Sequence, residues 1–305
     1  MRVLKVGLVL PLYEDPETGQ PHRWDELRTM ARLAEAIGFD TVWVPDELLW
    51  RVSVWPGPRG WWECIAVTGA VAEATERIGV GTWVLSANHR NAGITVRAVE
   101  TLDELSDGRF VFGLGAGSGD SEAKAYGLPL DHVVSRFEDS LEIIMPMLRT
   151  GRADHDGPYH QARDVESRPR GPRSGAIPLM LGAGGPRTIA LAARHADIWS
   201  YYAQERSEPA EFQPLVQTLE AACQAIGRDP ATIGRSAGII VEPTAATGSE
   251  AMGLGVPVRG SADQVADAIR AFTKVGVTQV ECMLWPTTVA TLEAMGPVLE
   301  RLDRA

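Results

Sequence analysis

The chain has 305 residues and a formal charge of −11 at pH 7, from 29 Lys+Arg against 40 Asp+Glu, a balance that argues against the basic surface stripe of a nucleic-acid binder. With 45% hydrophobic and 23% charged residues it is neither disordered nor fibrous, and it is long enough to bury a large core. Its three widely spaced cysteines, Cys64, Cys223 and Cys282, form no CxxC pair and suit a reducing cytoplasm, and no apolar run approaches the roughly 18 residues of a membrane span.

In chain order, short β-branched runs alternate with longer amphipathic segments, the pattern of parallel strands joined by crossover helices. The N-terminal run meets Pro11, Glu14 and Asp15 with no small-residue cleavage site, so it reads as a first strand and not a signal peptide. Strands are expected over residues 5–10, 41–45, 78–85, 109–115, 177–181, 197–201, 238–242 and 279–285. Helices are expected over residues 24–37, 62–76, 96–105, 136–148, 187–194, 212–225, 262–275 and 289–301. Gly38, Gly79, Gly108 and Gly276 each stand between a helix and the next strand, where a left-handed cap favours a residue without Cβ.

Eight strands, each followed by a helix, predict an α/β fold of the (β/α)8 TIM-barrel type, as one domain over residues 1–305. A doubly wound sheet would need a dinucleotide fingerprint. In the GxGxxG frames from Gly113 and Gly115 the third glycine falls on Ser118 and Asp120, so the fingerprint fails. Two long segments, 46–61 after the second strand and 150–176 before the fifth, are insertions and candidates for function. The second contains Asp156-Gly157-Pro158-Tyr159, a hairpin signal.

A barrel's active face is built from the loops after its strands. The second strand ends in Asp46 and Glu47, followed by Trp50, Trp55, Trp61 and Trp62. With Trp43 these suggest an acid beside an aromatic wall that suits a planar ligand. The third strand ends in residues 81–88 and the fourth in a glycine-rich stretch, where backbone can approach a ligand closely. Leu181-Gly182-Ala183-Gly184-Gly185-Pro186-Arg187-Thr188 closes a strand and opens a helix, so its free N–H groups and Arg187 suit a phosphate. The six histidines show no metal-ligand spacing, Ser118 lacks the glycines of a hydrolase elbow, and Cys64 reads as a buried inert thiol.

These residues resemble the bacterial luciferase-like superfamily of flavin- and deazaflavin-dependent oxidoreductases. The matching stretches are Gly38-Phe39-Asp40-Thr41-Val42-Trp43 running to Asp46, Thr101-Leu102-Asp103-Glu104-Leu105-Ser106-Asp107-Gly108-Arg109-Phe110 running to Gly117, Arg136-Phe137-Glu138, Asp156-Gly157-Pro158-Tyr159, the Leu181–Pro186 loop and Gly260-Ser261-Ala262-Asp263-Gln264-Val265. The resemblance implies a barrel, often a homodimer, that holds a flavin-like ring at the strand C-termini. Gly182, Ala183, Gly184 and Gly185 match the cofactor-phosphate cradle. A non-prolyl cis peptide at the end of the third strand falls by position near Trp83 and Val84, which places Thr82, Trp83, Val84 and Ser86 with Gly115, Gly117 and Ser118 around the ring.

The loop and the acidic strand end look more like the branch that uses coenzyme F420. A Ser-Asp-His triplet often ends the second strand there; here the residues are Pro45, Asp46 and Glu47. Arg168, Arg170, Arg173 and Arg187 could meet the anionic tail of the coenzyme. The expected function is therefore F420-dependent hydride exchange with a small organic substrate, with Asp46, Glu47 and Trp50 as catalytic candidates and no metal. The alternatives are an FMN-dependent monooxygenase fed by a partner reductase, and a flavin or deazaflavin binder without turnover.

Overall fold

The computed structural model describes residues 2, 4–16, 18–117, 120–243 and 255–304. Eight parallel strands run in chain order: β1 (Lys5–Val9), β2 (Thr41–Val44), β3 (Gly79–Thr82), β4 (Phe110–Gly115), β5 (Leu179–Gly182), β6 (Ile198–Tyr202), β7 (Gly234–Glu242) and β8 (Gln279–Leu284). Each pairs with the next, β8 pairs with β1 through Lys5↔Gln279 to Val9↔Met283, and the sheet closes on itself. This is the expected (β/α)8 barrel.

Period-two alternation explains why these runs close. Val42 and Val44 face the surrounding helices, whereas Trp43 between them joins Val9 and Met180 inside the barrel. The indole fits because the flanking strands carry glycine. A Cβ on Gly81 would lie 2.3 Å from the Trp43 ring, and one on Gly7 would lie 2.3 Å from its nitrogen. Trp43 is therefore barrel filling, and the expectation that it belongs to a ligand wall is corrected.

The helix Trp24–Ile37 matches the expected bounds, and Gly38, Gly108 and Gly276 take positive φ. Gly79 does not, because it opens β3. The preceding helix, Cys64–Ala74, already ends at Thr75, and the next three N–H groups donate to the Glu35 carboxylate. A side chain from the neighbouring helix thus replaces the glycine cap.

Both insertions form hairpins. Leu49–Trp50 pairs antiparallel with Arg59–Gly60 above β2, and Arg152–Asp156 pairs with Gln161–Glu166 around the predicted turn. The second hairpin follows the helix Val133–Thr150 and precedes β5, so it lies toward the strand N-termini, away from the active face. Arg168 there pairs with Glu166, Arg170 with Glu100 and Arg173 with Asp103. The expectation that these three arginines meet a cofactor tail is corrected, since each is engaged at the far end of the barrel. Among the described residues no helix is long and apolar enough to cross a membrane, and no group of three or more His, Cys, Asp or Glu could hold a metal ion.

Candidate active site

A cavity of about 760 Å³ opens at the C-terminal ends of the strands, within the range that takes a drug-sized ligand. Asp46, Glu47 and Trp50, the three catalytic candidates, all reach its wall.

Asp46 is buried and fully engaged. Its Oδ2 accepts the Ser86 backbone N–H at 2.8 Å and Arg90 Nη1 at 2.5 Å, while Oδ1 accepts Arg90 Nη2 at 2.8 Å. Burial alone would raise its pKa, but His89, Arg90 and the Ser86 amide outweigh that and hold it at about 2. It is an ionised anchor tying the end of β2 to the loop after β3. Arg90→Met removes the bidentate partner of a buried carboxylate and is expected to cost about 3 kcal/mol in urea unfolding. A loss under about 1 kcal/mol, typical of an exposed pair, would contradict this anchoring.

Glu47 lies beside this anchor, half-buried on the wall. Burial pushes its pKa up to about 7, with the Trp50 indole N–H opposing and the charges of Glu122 and Asp46 adding to the rise. A carboxyl that titrates near neutrality on a cavity wall can accept and return a proton.

Two residues that sequence reasoning passed over complete the group. His89 sits between carboxylates, Nδ1 3.3 Å from Asp46 Oδ2 and Nε2 3.1 Å from Glu122 Oε1, in ion-pair contacts and not as directed hydrogen bonds. Burial would lower its pKa, but both acids hold it up at about 9, so the ring is cationic at neutral pH. Glu122, on the short helix Asp120–Tyr126, also accepts the backbone N–H groups of Leu48 and Leu49 at 2.6 and 2.8 Å. It thereby fixes the segment that carries Glu47 and Trp50. Neither residue has a local motif; the signal is the closure of the barrel, which brings the ends of β2, β3 and β4 together.

The cofactor candidates divide. Trp83 and Val84 are joined by a non-prolyl cis peptide and line the cavity, as do Ser86, Gly115, Gly117, Gly182, Ala183 and Gly184. Val84 presses between strand ends that have no side chains, where a Cβ on Gly115 or Gly182 would come within 2.9 Å of its methyl groups. Ser86 Oγ is buried without a partner, and a Cβ on Gly117 would lie 2.6 Å from it. An unpartnered hydroxyl and bare backbone at the mouth of two strands fit a planar, hydrogen-bonding ring, and the loop from Gly182 leads to the helix Pro186–His195, whose N-terminus suits a phosphate.

Three expectations are corrected. The Thr82 hydroxyl is spent on both backbone groups of Gly113 and is turned away from the cavity. The Gly185 N–H and carbonyl are both paired with the Thr188 hydroxyl, so Gly185 has no free N–H to offer a phosphate, and Thr188 rather than Gly185 lines the cavity. Arg187 turns outward to Glu138 and Ser135. Ser118 lies outside the described residues.

The aromatic wall is also narrower than expected. Trp50 and Trp61 line the cavity with ring centroids 4.6 Å apart, Tyr13 joins them from the end of β1, and Trp55 backs Trp50. Trp62 is exposed and donates to the His22 carbonyl, outside this wall. Cys64 is buried with its thiol toward the Val44 carbonyl, and burial raises its pKa well above the usual value, as expected of an inert thiol.

The luciferase-like monooxygenase family model matches residues 4–251. The chain is 36% identical over 172 residues to the F420-dependent glucose-6-phosphate dehydrogenase of Beutenbergia cavernae, covering 54% of this chain and 48% of that protein. It is 28% identical over 200 residues to the 5,10-methylenetetrahydromethanopterin reductase of Methanolobus tindarius, covering 66% and 56%. It thus spans about half the length of the curated relatives it matches. The fold superposes on an F420-dependent secondary alcohol dehydrogenase with an F420-acetone adduct at a TM-score of 0.80, 17% identity and 99% coverage of both chains. With a family model covering most of its length and a cavity at the expected face, the chain belongs to the luciferase-like monooxygenase family.

Proposed function

We propose that the protein is an oxidoreductase that exchanges a hydride between coenzyme F420 and a small organic substrate, with Glu47 as the acid/base group. The observation that carries this reading is Glu47 itself, a wall carboxyl held near neutrality by burial and by two neighbouring carboxylates. The F420-dependent glucose-6-phosphate dehydrogenase and the F420-dependent secondary alcohol dehydrogenase named above support the choice of coenzyme.

In this reading the coenzyme, when bound, supplies the hydride acceptor or donor. Trp83, Val84 and Ser86 hold its ring, with Gly115 and Gly117. Gly182, Ala183 and Gly184 approach its phosphate. Asp46, His89 and Glu122 keep Glu47 and Trp50 in place, and the rings of Tyr13, Trp50 and Trp61 exclude water. A cytoplasmic homodimer and a separate F420 or flavin reductase complete the proposal on the strength of the resemblance.

The test is a calorimetric titration of cofactor-free protein with coenzyme F420 and, in parallel, with oxidised and reduced FMN. Selective, stoichiometric binding of coenzyme F420 is expected. Preference for reduced FMN would move the reading to oxygen chemistry, and binding of neither would remove the cradle.

A further inference from the structure

The cavity has two unlike halves, set by which strands lie opposite one another around the barrel. Over β4 and β5 the wall is bare backbone from Gly115 and Gly117 to Gly182 and Gly184. Over β8, β1 and β2 it is aromatic and aliphatic, with Tyr13, Trp50 and Trp61 in mutual ring contact beside Leu10, Leu49 and Leu284. Tyr13 and Trp50 stack with an interplanar angle of 7°, and the Tyr13 hydroxyl is already paired with Thr287 Oγ1 at 2.8 Å. The carboxyl of Glu47 stands at the edge of this half, held by the Trp50 indole.

Charge completes the argument. An anionic group entering the aromatic half would need cationic donors or free backbone N–H groups at a helix start, and the helix start lies on the opposite, glycine side of the cavity. The cavity instead presents the carboxyls of Asp46, Glu47 and Glu122. His89 is committed to two of those carboxyls, and Arg51 lines the rim in an exposed position where an anion would stay hydrated.

We infer that the aromatic half is the substrate subsite and that it takes an uncharged, ring-bearing alcohol or its ketone, not a phosphorylated sugar. This inference rests on the F420 reading above. In the oxidising direction the alcohol carbon gives up its hydrogen with both electrons of the C–H bond to the coenzyme. The O–H proton passes to Glu47, and a C=O bond forms; reduction of the ketone reverses each transfer.

Saturation-transfer NMR on the cofactor-free full chain tests the subsite without turnover, using 1-phenylethanol, cyclohexanone and glucose 6-phosphate as probes, with coenzyme F420 titrated separately. Saturable binding of the two ring compounds and none of glucose 6-phosphate is expected. Trp50→Ala should weaken the ring compounds by at least about tenfold, Trp50→Phe should restore most of that, and neither should move the coenzyme titration. Binding of glucose 6-phosphate, or ring-compound affinity that ignores Trp50→Ala, overturns the substrate class while leaving the F420 reading intact. Failure of coenzyme F420 itself to bind overturns the reading beneath it, whatever the probes do.

Discussion

Glu47→Gln is expected to lower turnover by about 10²- to 10⁴-fold, the range for loss of a positioned general acid or base, with affinity for coenzyme F420 nearly unchanged. The amide keeps the size of the carboxyl and its contact with Trp50 but cannot exchange a proton. The pH profile carries the sign. In the oxidising direction Glu47 must be ionised to accept a proton, so kcat/KM rises with pH through about 7, where burial and its neighbours place it. In the reducing direction it must be protonated, so the rate falls through the same range. Both limbs vanish in Glu47→Gln. A variant with the wild-type rate constant would sink the proposed role.

His89 tunes that limb. Its positive charge opposes the rise in the Glu47 pKa that Glu122 and Asp46 produce. The same charge keeps both acids ionised, so these neighbours set where the limb falls while Glu47 is the group that titrates there.

Much of this was legible in the sequence, because strand and helix periods and the residues flanking each join are local. The eight strands, the hairpin at Asp156-Gly157-Pro158-Tyr159 and the pairing of Asp46 with Glu47 at a strand end all rest on contacts a few residues apart. What stayed hidden depends on closure. Glu122 is more than 70 residues from Leu48 and Leu49, whose amides it holds, and Trp43 lies inside the barrel only because Gly7 and Gly81 on flanking strands make room. His89 stands immediately after the 81–88 stretch noted at the end of the third strand, where it looked like one of six scattered histidines. A segment between a helix and the next strand belongs to the end opposite the active face, which already separates Arg168, Arg170 and Arg173 from any ligand there.

The same closure buries a second carboxyl, and Glu281→Gln is expected to change how stability depends on pH by several kcal/mol. Glu281 is 1% exposed inside the barrel. Its Oε1 accepts from Ser236 at 3.1 Å and from Gln279 at 2.7 Å, while Oε2 faces the Trp43 indole without a directed hydrogen bond. Burial dominates and pushes its pKa up to about 8. The folded chain therefore keeps the acid neutral across a range where the unfolded chain ionises it. Its contribution to stability is fully present below about pH 4.5, the ordinary glutamate range, and is lost as pH rises toward 8, by up to about 1.4 kcal/mol per pH unit. Urea unfolding of both proteins from pH 5 to 8 should show the wild type losing stability relative to Glu281→Gln throughout. Because the comparison is of slopes, any fixed cost of packing the amide cancels. Parallel curves would mean that the native carboxyl is ionised. The catalytic profile gives an independent check, since Ser236 leads through Ser200 to the Trp83 indole in the cavity wall. Replacing a neutral Glu281 leaves the limb near pH 7 where it is, whereas removing an ionised one would take away a negative charge and shift the Glu47 limb to lower pH.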